Sequence, residues 1–358
     1  MNHYTNCVPN AQPETELLEK KVIPKKYASF ELADSFERLA RITKDPWYQK
    51  RAQRVRDCTK FLTLAVPAVF GDSASGDKPK ARVASASFCR KRLCPQCDWR
   101  RSLNIAAQVS QILAAITVEK PTTRYIFLTL TIKNVPGEKF AQSIDILQQG
   151  FRRLLKRYKK RLYCVLGGFR SLEVTINQET KEYHPHIHAV FAVTPKYFAD
   201  GYISKDEWAK MWQDVIDLDY IPSVDIRVVT EDEPGAHSFA GSAAEIAKYA
   251  AKSTDYLLPS EHSETDSRVA VLSQGLHHRR LVNMWGIIKQ YHHDLNLCDP
   301  ESIPDVLPPD GLVVRDDVLY FLVGYRWGEN GFDEVMRTQK AYTWEQIKNH
   351  AKMGRILK

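Results

Sequence analysis

The hydrophobic pattern of this chain changes period near residue 124. Before it, Leu32, Phe36, Leu39 and Ile42 recur at helical spacing, and Ala52 and Val55 continue the pattern after Pro46. These positions predict a helical region over 1–57, with residues 1–20 polar and frayed. Its many Arg and Lys residues suit either a solvated face or contact with DNA. From 124 the pattern alternates. Ile126, Leu128, Leu130 and Ile132 face one way, and Phe127, Thr129 and Thr131 the other, which predicts a strand over Tyr125–Ile132. A helix over about 138–162 follows, with Ile144, Leu147, Phe151, Leu154, Leu155, Tyr158 and Leu162 as its apolar stripe. Gly167-Gly168 breaks the chain. A strand over Phe169–Ile176 puts Ser171, Glu173 and Thr175 on its polar face, and a polar turn over 177–182 leads into Tyr183–Phe191. Ser204-Lys205-Asp206-Glu207 is a capping box opening a helix with Trp208, Met211, Trp212 and Val215 inward. Ser223–Thr230 alternates again, 234–241 reads as a loop, and Ala243–Lys252 as a short helix.

The order is β-α-β-β-α-β and then a helix. It predicts an α+β, ferredoxin/RRM-like antiparallel sheet with helices packed on one side and a polar face open to a ligand. The stretch between Phe70 and Arg82 is a loop by composition. In the C-terminal part, Val313–Tyr325 alternates and Thr343–Met353 reads as a basic helix, forming either a packing subdomain or a recognition surface. The expected organisation is a helical region over 1–57, a Cys-rich module with a basic helix over 58–120, a sheet domain over 121–298 and a C-terminal subdomain over 299–358.

Candidate chemistry sits on these elements. In Tyr183-His184-Pro185-His186-Ile187-His188, His184, His186 and His188 share one strand face. Imidazoles at period two read as a metal site or as a solvated His-rich face. If the two strands flanking 177–182 form a hairpin, Glu173 lies roughly opposite His186. Cys89, Cys94 and Cys97 form C-x4-C-x2-C, whose tight spacing suits one tetrahedral ion, and Cys58 is the nearest candidate fourth sulfur. A structural Zn2+ site is expected, with free buried thiols as the alternative. Cys7, Cys164 and Cys298 are isolated. Just after the cluster, Arg100 and Arg101 open a helix running to about Ile116, where they could hold a phosphate backbone. Arg152, Arg153, Lys156 and Arg157 make the second half of the 138–162 helix strongly basic, for DNA or for surface ion pairs. On the 243–252 helix, Glu245, Tyr249 and Lys252 fall on one face by helical spacing. A phenol there is a poor nucleophile at pH 7 unless a metal and a cation neutralise charge on its target.

Composition narrows the class. The 358 residues are 44% hydrophobic and 26% charged, ordinary for a globular protein, and the net charge of +8 mildly favours a polyanionic partner. No apolar run is long enough to span a membrane, and the N-terminus lacks a signal-like apolar region, so a cytoplasmic protein is expected.

Taken together, four segments resemble the rolling-circle replication initiators of small bacterial plasmids, within the HUH endonuclease superfamily. Phe127–Thr131 resembles the first motif, His184–His188 the metal motif, Glu245–Lys252 the tyrosine motif, and Cys94–Arg101 the zinc-finger-like element of one single-tyrosine branch. Arg280-Leu281 through Leu295-Asn296-Leu297 resembles its downstream segment. The resemblance covers roughly 30–300. It implies that His186 and His188, with Glu173 as candidate third ligand, bind Mn2+ or Mg2+, while His184 is either a ligand or a spare polar side chain. It further implies that Tyr249 attacks the scissile phosphate, leaving a 5′-phosphotyrosyl link and a 3′-OH primer. Lys252 would hold the phosphate, and Glu245 would activate water so that termination goes by hydrolysis. Tyr256 is a second tyrosine beyond the expected helix end. The partners implied are single-stranded or cruciform origin DNA, a host helicase and a host DNA polymerase, with no membrane. A relaxase or transposase of the same superfamily, or a non-enzymatic zinc-dependent DNA-binding repressor, are the competing classes.

Overall fold

A computed structural model describes residues 13–68, 80–229, 239–248, 251–303 and 318–352. Helix α1 (Pro13–Leu17) runs through a π turn at Leu18–Val22 into α2 (Ile23–Thr43), so residues 13–20, expected to be frayed, are helical. Helix α3 (Pro46–Arg56) starts where Asp45 accepts a hydrogen bond from the Trp47 amide at 2.8 Å and Pro46 fills the first helical position. Strands β1 (Phe61–Pro67) and β2 (Arg82–Ala86) follow, and then the long helix α4 (Pro95–Glu119).

The predicted series then appears in order: β3 (Arg124–Thr131), α5 (Gly137–Arg157), β4 (Val165–Ile176), β5 (Tyr183–Val193), α6 (Lys205–Ile216) and β6 (Val224–Val229). Ser204 caps α6 by accepting from the Glu207 amide at 3.2 Å, the expected capping box. Helices α7 (Phe239–Ile246), α8 (Ser253–Tyr256) and α9 (His262–Gly275) lead to β7 (Asn283–Trp285) and α10 (Gly286–Asp294). The described C-terminal part holds β8 (Tyr320–Gly328), β9 (Gly331–Arg337) and α11 (Trp344–Lys352).

The main sheet is antiparallel, in the order β6-β3-β5-β4-β7. Gly167 and Gly168 do not break the chain. They lie inside β4, and a Cβ at Gly167 would stand 2.5 Å from the Trp285 carbonyl oxygen, so glycine is what lets β7 cross there.

Helices cover both sides of this sheet, not one. On one side α5 and α6 bury Phe151, Leu154, Trp208 and Trp212 against Leu128, Leu130, Ile187 and Phe191. On the other, Ile105, Val109 and Ile112 of α4, Ala243 and Ile246 of α7 and Ile288 of α10 cover Phe127, Phe169, Val190 and Ala192. The reason is visible in β5. Beyond His188 the same face continues as Val190 and Ala192, which need apolar cover. Only the end of that face is polar.

A second sheet, in the order β2-β1-β8-β9, joins segments far apart in sequence, with Leu62 opposite both Ala86 and Tyr325. The C-terminal strands therefore complete a sheet begun before the cysteine cluster, and α11 packs Trp344 and Ile347 against Ala65, Ala84 and Leu322. The expected 70–82 loop falls mostly outside the described residues, as do Cys7 and the start of the alternating stretch from Val313.

Candidate functional site

The β4–β5 hairpin pairs Glu173 with His186, and β3 pairs Thr129 with His188. Glu173, His186 and His188 thus meet at the polar end of the sheet face. They are buried, at 4%, 8% and 5% exposure, rather than on an open face. One ligand atom from each lies within 4.8 Å of the others.

The ring orientations leave the correct atoms facing inward. His186 Nδ1 lies 3.0 Å from the His184 carbonyl oxygen, a contact that needs the proton on Nδ1 and leaves the Nε2 lone pair for a ligand. His188 Nδ1 lies 3.1 Å from the Thr129 hydroxyl, and its Nε2 lies 2.9 Å from Glu173 Oε2. His186 Nε2 is 3.4 Å from the same oxygen. Burial disfavours the Glu173 charge, but the two imidazoles beside it outweigh that and hold the carboxyl well below the usual carboxylate range. Burial pushes the His188 ring down, against the pull of Glu173. Two imidazoles and a carboxylate are a mixed N/O set that suits Mn2+, with Mg2+ as the harder alternative.

His184 does not join the three. Its ring stacks on His186 at a centroid distance of 5.2 Å, and its contribution here is the backbone carbonyl that orients His186. Thr129, which strand alternation puts on the same polar face, meets His188 in the site. Thr129→Val should weaken Mn2+ binding about 10- to 100-fold in a calorimetric titration, and Thr129→Ser should restore most of it. Wild-type affinity in the Val variant would remove Thr129 from the site.

The expected helix through Lys252 is shorter than the spacing suggested. Helix α7 ends at Ile246, and Lys252 is extended, with φ −69° and ψ 137°, as the N-cap of α8. Lys252 therefore does not share a helix face with Glu245. Instead Lys248 pairs with Glu245. Glu245 stands close enough for its charge to act on the His188 ring. Tyr249 lies outside the described residues. Tyr256 is buried and donates to the Leu93 carbonyl at 2.5 Å, a position closed to DNA.

The four cysteines Cys58, Cys89, Cys94 and Cys97 come together, with all sulfurs within 4.8 Å. Cys58 and Cys89 lie 3.6 and 3.5 Å from Cys97. These separations are far too long for disulfides and approach the roughly 3.8 Å expected between tetrahedral Zn2+ ligands. Backbone amides point at the sulfurs, from Arg90 to Cys97 at 3.1 Å and from Cys89 to Cys58 at 3.5 Å. The donor set and its N–H bonds fit a structural Zn2+. Cys164 is buried and Cys298 exposed, both apart from this cluster.

The proposed phosphate contacts divide. Arg100 and Arg101 are buried, at 2% and 9% exposure, and cannot meet a DNA backbone. Arg100 lies over the Phe88 ring, and Arg101 pairs with Asp98 at 3.0 Å and donates to the Glu301 carbonyl. Their helix faces inward because α4 is clasped between the cysteine cluster and the 299–303 segment. Burial pushes the Asp98 carboxyl up to about 7, against the pull of Arg101 and Arg92. Arg152, Arg153, Lys156 and Arg157 are exposed, with Arg157 paired to Asp214 at 3.2 Å. They stand on α5, across the sheet from Glu173 and the histidines.

A replication protein family model matches residues 80–330. A protein rep of a Bacillus species is 37% identical over 287 residues, covering 76% of this chain and 89% of that relative. A protein rep of Streptococcus pneumoniae is 36% identical over 281 residues, covering 78% and 80%. A replication protein of Staphylococcus aureus is 32% identical over 228 residues, covering 63% and 96%. No solved structure matches the chain. The α+β sheet with its buried Glu-His-His end is thus the framework of a replication protein. The chain belongs to the Rep family of plasmid replication initiators.

Proposed function

We propose that this chain initiates rolling-circle replication by nicking origin DNA at the Glu173–His186–His188 centre. The observation that carries the reading is the convergence of those three ligand atoms beside α7, the helix that leads directly to Tyr249. A bound Mn2+ or Mg2+ would supply Lewis-acid stabilisation of charge developing on the scissile phosphate. The protein's own work is positional. Thr129 and the His184 carbonyl fix the imidazoles, and burial keeps water from competing.

In the reaction, the Tyr249 hydroxyl gives up its proton and its oxygen bonds to phosphorus. The bond from phosphorus to the 3′-oxygen breaks, and that oxygen takes up a proton and becomes the 3′-OH primer. The phosphate stays on Tyr249 as a 5′-phosphotyrosyl diester. Lys248 and Lys252, which flank Tyr249 in sequence, would neutralise its charge. Glu245, held by Lys248 and felt by His188, activates water for the terminating hydrolysis. Exposed Arg152, Arg153, Lys156 and Arg157 suit contact with flanking DNA, on a separate face. A host polymerase extends the primer while a host helicase unwinds the duplex ahead of it. Among the described residues no helix is long and apolar enough to cross a membrane.

Tyr249→Phe tests this directly. Mixed with supercoiled origin plasmid and Mn2+, the variant should release no nicked circle and form no covalent protein–DNA adduct, while still binding Mn2+ as wild type does. Nicking that survives the substitution would overturn the nucleophile. Wild-type protein that nicks under no divalent metal would favour a zinc-dependent repressor.

A further inference from the structure

Away from the metal-binding end of the sheet, α3, the cysteine loop and the segment after α9 bring their cations to one surface. Arg51 lies over the Trp47 ring, 3.1 Å from its centroid. Trp47 meets His277 edge-on at 5.4 Å, and the His277 and His278 ring centroids lie 3.8 Å apart. Arg51 and Arg54 stand close enough to Lys91 for their charges to act on it, and Arg51, Lys91 and Arg92 act likewise on His277.

Arg51, Arg54 and Lys91 have no ion-pair partner among the described residues. The carboxylates around them are Asp45 beside Arg51, and Asp98 and Glu301 beside Arg92, the latter at 3.6 Å. Like charges gathered this way repel one another and cost stability unless a polyanion joins them. Trp47 holds the Arg51 guanidinium in place, and the exposed His277 adds a ring for bases. From this patch, Arg92 also lines a cavity shared with Lys248 and with Ser171, the residue paired with His188 in the sheet.

We infer that Arg51, Arg54 and Lys91, with Trp47 holding Arg51 in place, form a second DNA-binding surface, built on the cysteine loop. It grips phosphates of the strand leading, past Arg92, to Lys248 and the histidines. The inference rests on DNA being the substrate, but not on nicking. It gives the cysteine cluster a purpose beyond stability, since that loop presents Lys91 and Arg92.

The test is binding of a fluorescent 30-nucleotide single strand, by anisotropy across a salt series without added Mn2+ or Mg2+. For R51Q/R54Q/K91Q, the slope of log affinity against log salt should fall by roughly 2, about 0.7 per lost phosphate contact. Affinity near 0.15 M salt should fall roughly 10- to 100-fold. R54E alone, at an exposed position, should show a smaller loss in the same direction, with zinc content and melting temperature as wild type. An unchanged slope in both variants would overturn the surface, and would be the result if it served an acidic protein instead. Wild-type protein that binds the strand but nicks nothing would sink the nickase reading while leaving this comparison intact.

Discussion

Glu173→Gln should weaken Mn2+ binding by more than the roughly 10- to 100-fold that loss of an outer-shell partner costs, because it removes the only negative charge among the three ligands. The side chain keeps its shape and one oxygen donor. What changes is that the site becomes neutral and an amide N–H2 replaces one carboxylate oxygen. Glu173 Oε2 stands 2.9 Å from His188 Nε2 and 3.4 Å from His186 Nε2, so the carboxylate anchors both rings. Loss of that anchor should also lower the melting temperature of the metal-free protein, since a hydrogen bond to a charged buried group contributes about 1.5–3 kcal/mol. Calorimetric titration with Mn2+ and a thermal melt read the two effects separately. Full Mn2+ affinity in the variant would mean that the metal, if any, sits elsewhere.

Cys94→Ser should abolish zinc binding and with it much of the stability of the N-terminal half. Apparent Zn2+ binding in small zinc modules amounts to roughly 10–16 kcal/mol, most of it expressed as folding energy. Here the four sulfurs come from the end of α3, the end of β2 and the start of α4, so the ion would tie three elements together. Behind them Lys26 is buried and donates to the Cys58 and Arg56 carbonyls, at 2.5 and 2.9 Å. Loosening the cluster would leave that ammonium without its partners. Metal analysis should show one zinc per wild-type chain and none in the variant, with a large fall in melting temperature. Unchanged zinc content would refute the site.

The sequence carried the hairpin well. Period-two alternation on both sides of a polar turn leaves little freedom, and the pairing of Glu173 with His186 follows from it. Local signals failed where the deciding contact was distant. Nothing near Phe61–Pro67 announces a partner at Tyr320–Gly328, so the second sheet was not legible. Arg100 and Arg101 look like surface cations until the 299–303 segment folds over α4. Glu245-to-Lys252 spacing reads as a continuous helix, but α7 stops at Ile246, and no proline or glycine marks the stop. The second side of the main sheet could have been read. Val190 and Ala192 continue the His face, and an apolar continuation of that kind asks for cover.

The pairing of β1 with β8 has a practical meaning for anyone cutting the gene. The family match begins at residue 80, after Cys58 and after the whole of β1. A fragment started there keeps every residue proposed for catalysis. It nonetheless loses one of the four sulfurs and the strand that joins β2 to β8, leaving two unpaired edges facing a gap. Such a fragment should come out of cells insoluble or zinc-poor. The span matched by the family model is thus shorter than the span that completes the second sheet and the four-sulfur cluster.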